Sequence, residues 1–185
     1  ASFEVALDTE LAPRFALQNF EKLPANAAVV HIIGAGPAGL FAALEAIARG
    51  IKPVIYERGK DIRTRRRDLA KLSKNQELNP ESNYCFGEGG AGTFSDGKLW
   101  SQVKDPKQYG RKVLNEFVEA GAPEEILYVS KPHIGTFKLV TMVEKMRARI
   151  IELGGEIRFS TRVDDIHIED GQITGVTTNH GEYLA

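Results

Sequence analysis

Cysteine is almost missing from this chain: Cys85 stands alone among 185 residues. An intrachain disulfide and a Cys-x-x-Cys redox relay are therefore excluded, and a reducing, cytoplasmic compartment is the expected home. Net charge is nearly absent as well. At -1 there is no global field to draw in nucleic acid or an anionic membrane, so neither is expected as a partner. No apolar run approaches the roughly 18 residues that a spanning helix requires, and no basic-then-apolar leader opens the chain. Metal-ligand spacing among His, Cys and carboxylate residues is missing, as is any nucleophile–base–acid set, so no metal is expected and hydrolytic chemistry has no support. The chain also lacks internal repeats and low-complexity stretches. At 42% hydrophobic and 26% charged residues it has the balance of a globular protein with one well-formed core.

What is present is concentrated between residues 28 and 57. An apolar run, Ala28-Val-Val-His-Ile-Ile33, leads into Gly34-Ala-Gly-Pro-Ala-Gly39, an alanine-rich segment and Pro53-Val-Ile-Tyr-Glu57. This order predicts a βαβ unit that binds a dinucleotide. The three glycines serve different ends. Gly34 turns the chain off the strand, Gly36 leaves room for a pyrophosphate, and Gly39 lets helix and sheet approach. The helix predicted over 37–49 opens with Pro37 and Ala38, aims unpaired N–H groups and its positive end at phosphate, and stops at Gly50. Glu57 closes the second strand about 20 residues beyond the third glycine, where an acidic side chain accepts hydrogen bonds from ribose hydroxyls. A 2′-phosphate there would be repelled. These residues alone leave NAD and FAD open.

Residues 1–26 mix charged and apolar residues around Pro13 and Pro24, and read as a lead-in or the tail of a preceding domain, ahead of a nucleotide-binding domain over 27–185. Residues 58–74 are densely basic and predict a helix after a short loop. Residues 79–98 carry glycine at 87, 89, 90, 92 and 97, and read as a ligand loop rather than a linker. Amphipathic helices are predicted over 107–120 and 137–153. The period then changes from 3.6 to 2 over 156–159, 163–168 and 172–177, a strand followed by a meander.

This succession resembles the FAD domain of the two-dinucleotide-binding flavoproteins. The stretch Asn83-Tyr-Cys-Phe-Gly-Glu-Gly-Gly-Ala-Gly-Thr-Phe-Ser-Asp-Gly-Lys-Leu99, with Lys131-Pro-His-Ile-Gly-Thr136 and Glu57-Arg-Gly59, is similar to the FAD-dependent, NAD(FAD)-utilising dehydrogenases, and the likeness covers nearly all of residues 28–180. It implies an α/β, Rossmann-like FAD-binding domain, a parallel sheet with helices plus a small antiparallel meander. It further implies an FAD-dependent oxidoreductase passing hydride through the flavin, with NAD(P)H as candidate donor and an unknown small-molecule substrate. By the same resemblance Val163 approaches the adenine through its backbone, and Arg58 stands at the cofactor. Gly89, Gly90, Ala91, Gly92 and Thr93 suit a nest of N–H groups around phosphate or the flavin's carbonyl edge, with a ligand-free surface loop as the alternative.

Two further candidates come from residue chemistry. Arg66, within the basic run, is a candidate phosphate contact, against the bland reading of a solvated helix face. His133, between proline and glycine, is a candidate to move a proton, against a structural ring bonded within its loop. Two other functions stay in view: a dinucleotide-binding module without turnover, and a flavoprotein of a biosynthetic or RNA-modifying pathway. Because the chain starts at Ala1 and ends at Tyr183-Leu-Ala185, where the family's next strand should begin, it reads as a truncated piece with an exposed sheet edge, needing the rest of its chain or another subunit.

Overall fold

The computed structural model describes residues 19–184. It opens with β1 (Val29–Ile33), α1 (Pro37–Ala48) and β2 (Lys52–Tyr56), the predicted βαβ unit. Then follow α2 (Ile62–Asn75), α3 (Tyr109–Glu119), α4 (Thr136–Glu152) and β3 (Glu156–Arg158), with short 3₁₀ turns at Ala91–Phe94 and Glu124–Leu127. Strands β1, β2 and β3 form a parallel sheet in that order, in register Val29↔Lys52 and Val54↔Glu156. Strands β4 (Val163–Glu169), β5 (Gln172–Thr178) and β6 (Gly181–Leu184) form a separate antiparallel meander. The architecture is the expected Rossmann-like α/β fold with a small antiparallel sheet.

β2 is buried on both sides, as a parallel strand covered on each face must be. Ile55, on one face, belongs to the main core with Leu40, Leu44 and Ile47 of α1 and Met142, Met146 and Ile150 of α4. Val54 and Tyr56, on the other, pack against Val163 and Val176 of the meander. The meander thus caps one face of the sheet while helices cover the other. Gly39 sits at the tightest point of the helix–sheet contact: a Cβ there would lie 1.9 Å from the Gly34 carbonyl oxygen. This is the close approach expected of the third glycine.

The meander holds one strand more than the residue pattern predicts. Instead of a strand starting at 183–185 and heading back to the main sheet, Gly181–Leu184 is β6, antiparallel to β5, with Val176 opposite Tyr183. Gly181 at φ 120° permits the tight reversal, and Thr178 Oγ1 donates to its carbonyl. Of the predicted lead-in, residues 1–18 lie outside the described residues. Residues 19–26 carry no strand, and there Phe20 and Leu23 pack on the main core, with the Leu23 N–H donating to the Leu153 carbonyl. β1 forms an edge of the parallel sheet among the described residues, with Val29 and Ile33 exposed on it.

Candidate functional site

The turn after β1 is built to leave donors unpaired. Gly36 caps α1 with no side-chain hydrogen bond, and Pro37 opens the helix. An anion is the partner such an uncapped N-terminus lacks. Gly34 adopts φ 97°, whereas Gly36 has an ordinary φ of -75°, and a Cβ on Gly36 would meet nothing closer than the Gly90 Cα at 3.9 Å. Nothing in the fold itself requires Gly36 to be glycine.

Glu57 ends β2 with its carboxylate buried and tied to the backbone. Oε2 accepts from the Ala35 N–H and Oε1 from the Gly59 N–H, each at 2.8 Å. Glu57 therefore holds the glycine turn against the end of β2, and a second lone pair on each oxygen is left for a ribose hydroxyl.

Facing this turn is the loop from Asn83 to Phe94, held by a residue that the motifs do not single out. The Arg65 side chain is fully buried and donates to five backbone carbonyls: Asn83, Tyr84, Gly87, Glu88 and Gly90. A signal exists in the sequence, since Arg65 lies on the same stripe of α2 as the buried Ile62 and Leu69. Gly87, Gly89 and Gly90 all take positive φ, and a Cβ on Gly87 would fall 2.3 Å from Arg65 Cδ. The loop is wrapped around a guanidinium.

Glu88, also fully buried, ties the same loop to the helices. Its Oε2 accepts from the Ile62 N–H at 2.8 Å and from Arg147 Nη1 at 2.7 Å, while Oε1 has no partner. Burial pushes its carboxyl up to about 7, against the pull of the Ile62 N–H and the Arg147 charge. The folded value lies above the ordinary 4.5, so the folded chain binds the extra proton between those values and stability falls as pH rises through that window. We expect a loss on the order of 3 kcal/mol between pH 5 and pH 8 in urea titrations. Glu88→Gln should flatten that slope; an equal slope in both proteins would contradict the assignment.

Turn and loop enclose a cleft of about 360 Å³ at the carboxyl ends of β1 and β2. Six of the predicted cofactor residues line it together: Gly34, Gly36, Glu57, Arg58, Gly90 and Val163. Thr161 and Arg162 also line the wall, with no motif pointing to them, and so does Phe86, which belongs to the Asn83–Leu99 stretch of the resemblance but carries no expected role of its own. The Arg58 guanidinium lies 3.9 Å from the Phe86 ring centroid, and Glu81 accepts from both Arg58 Nε and Arg162 Nη1. That bridge fixes two arginines at the rim.

The other predicted residues are dispersed. Gly89, Gly92, Thr93 and Pro37 line a second, apolar cavity on the far side of the turn. Ala38 and Gly39 lie in the first turn of α1, and Ala91 lines neither cavity. The nest read over 89–93 is narrower in the structure. The N–H groups of Gly89, Gly90 and Thr93 already donate to Ala35, Gly87 and Gly90 carbonyls, because the loop folds back on itself and on the glycine turn. Ala91 and Gly92, both exposed, remain available for a ligand.

Arg66 is exposed, 5.7 Å from the Phe137 ring centroid, and borders neither cavity. His133 lies in a short antiparallel pairing with Lys98. Its neighbours Pro132 and Ile134 are buried, so strand alternation turns His133 outward, away from both cavities.

No family model matches the chain. It is 46% identical over 148 residues to an uncharacterised protein of Clostridium beijerinckii, covering 80% of this chain and 27% of that protein. It is 27% identical over 153 residues to the thiamine thiazole synthase of Aeropyrum pernix, covering 81% and 43% respectively. Among solved structures, L-amino acid deaminase from Proteus vulgaris superposes with a TM-score of 0.52 at 14% identity, over 92% of this chain and 54% of that one. The structural likeness establishes a shared fold. The chain spans between about a quarter and half of the length of these proteins.

Proposed function

We propose that this chain forms the nucleotide-binding part of an FAD-dependent oxidoreductase. The observation that carries the reading is the single cleft that gathers Gly34, Gly36, Glu57, Arg58, Gly90 and Val163 at the uncapped start of α1. Those groups suit the ADP half of FAD: N–H donors for pyrophosphate, a fixed carboxylate for ribose, and backbone at Val163 for adenine. Bound FAD would supply hydride and electron transfer, and the protein its placement and surroundings. Pro37, Gly89, Gly92 and Thr93 lie beyond the pyrophosphate end, where the flavin half would extend. The donor in this reading is NAD(P)H, the substrate a small molecule, and the setting a cytoplasm that keeps Cys85 reduced. Neither nucleic acid nor membrane is a partner in it.

A yellow protein whose flavin absorption band bleaches on addition of NADH or NADPH would support this reading, and a colourless protein that takes up NAD but not FAD would overturn it. A biosynthetic role is the second reading, favoured by the 27% identity to a thiamine thiazole synthase. It expects bound dinucleotide with no bleaching by either donor.

A further inference from the structure

Glu81 lines no part of the nucleotide cleft, yet it holds two of the residues that do. Its Oε2 accepts from Arg58 Nε at 2.8 Å and its Oε1 from Arg162 Nη1 at 2.7 Å, so one carboxylate joins the end of β2 to the start of the meander. Its own backbone is set first. Asn79 Oδ1 accepts from the N–H groups of Glu81 and Ser82, and a Cβ added to Gly59 would lie 2.9 Å from the Glu81 carbonyl oxygen. The Arg58 guanidinium, and then that of Arg162, hold the Glu81 carboxyl below its usual range, so both bridges persist through neutral pH.

Folding gains little from this bridge. The three side chains are 34–41% exposed, and ion pairs so placed add little to stability. What the bridge sets is the shape of the cleft wall. The Arg58 guanidinium stands 3.9 Å from the Phe86 ring centroid, contact distance for a cation over a ring, and both residues line the cleft. A planar guanidinium has two faces, of which Phe86 covers one. Arg162 is fixed as well: its N–H donates to Asn179 Oδ1 and its Nε to Asp164 Oδ1, beside Val163.

We propose that Glu81 is a positioning residue for the nucleobase: it fixes Arg58 on Phe86, and Arg162 beside Val163, so that these residues form a slot in which adenine stacks on the Arg58 guanidinium. The inference rests on the reading of the cleft as the ADP site. An untethered arginine would surrender its rotamer freedom when the base arrives, and Glu81 removes that cost beforehand. Stacking on a guanidinium grows with the area of the base, so the slot favours a purine over a pyrimidine.

ADP and UDP share ribose and diphosphate and differ in the base, and their affinities, measured alongside thermal melts, test the proposal. The wild-type chain should bind ADP at least about tenfold more tightly than UDP. Glu81→Gln should melt at the wild-type temperature, weaken ADP by at least about fivefold and leave UDP within about twofold. Charge alone predicts the opposite, because removing a carboxylate beside the cleft favours both anions alike. Phe86→Leu should show the same selective loss, and it carries the test should Glu81→Gln melt early. In the double variant ADP should weaken little further, because both residues act through one stack.

A Glu81→Gln protein that binds ADP as tightly as the wild type would overturn the proposal and leave the cleft reading intact. Equal weakening of ADP and UDP in both variants would do the same, as would a wild-type chain with no preference between the two nucleotides. A wild-type chain that binds neither ADP nor FAD would overturn the cleft reading, and the proposal with it.

Discussion

Replacing Arg65 by methionine is expected to cost about 3–5 kcal/mol of stability and to abolish flavin uptake. The methionine fills most of the volume but leaves the carbonyls of Asn83, Tyr84, Gly87, Glu88 and Gly90 without the donor they share. Buried carbonyls stripped of a charged donor cost more than the bond's own net worth, because no water replaces it. Arg65→Lys should rescue little: an ammonium is a point donor on a flexible stem, and it cannot span five acceptors as a planar guanidinium does. Urea unfolding followed by both tryptophan fluorescence and flavin retention would report the two losses. Flavin retained at the wild-type level in Arg65→Met would show that the loop holds its shape by other means.

Gly39→Ala should be nearly as damaging for a different reason. Its Cβ would lie 1.9 Å from the Gly34 carbonyl oxygen and 3.4 Å from Ile32 Cγ2, so either the turn must open or α1 must lift off the sheet. Neither neighbour is a flexible side-chain end that can swing aside. A loss of about 4 kcal/mol is expected, at the upper end of what single substitutions produce. Gly34→Ala provides the internal comparison. Space around Gly34 is open and only its positive φ opposes a side chain, so about 1–2 kcal/mol should be lost. Thermal melts of the two variants should rank them in that order.

The sequence is most legible where backbone geometry and residue type are bound together. The glycine turn, α1 and β2 can be placed to within a residue because few chains other than a βαβ unit need glycine, proline and acid at those offsets. The amphipathic pattern also locates α3 and α4, since Phe117, Leu139, Val143, Met146 and Ile150 repeat at helical spacing and are buried as that spacing requires. What stays hidden are interactions between segments distant in sequence. Arg65 looks like one member of a basic run: the Ile62–Leu69 stripe marks its position as buried, but no local pattern shows its guanidinium donating to carbonyls some 18–25 residues away. Glu88 is hidden in the same way, its partners being Ile62 and Arg147. The placement of His133 is hidden for the same reason: its chemistry suggests a site, while the pairing of residues 96–99 with 132–135 that turns it away from both cavities is a tertiary feature.

The central claim is that the cleft holds the ADP half of FAD, and Gly36 tests it most directly. In the protein alone an alanine there is tolerated, with φ at -75° and the nearest atom to the added carbon 3.9 Å away. The room that glycine leaves is therefore room for a ligand. Gly36→Ala should melt at the wild-type temperature and bind ADP and FAD at least about tenfold more weakly, as a methyl group displaces the pyrophosphate from the N–H groups of α1. A Gly36→Ala protein with wild-type stability that binds both nucleotides as tightly as before would contradict the account.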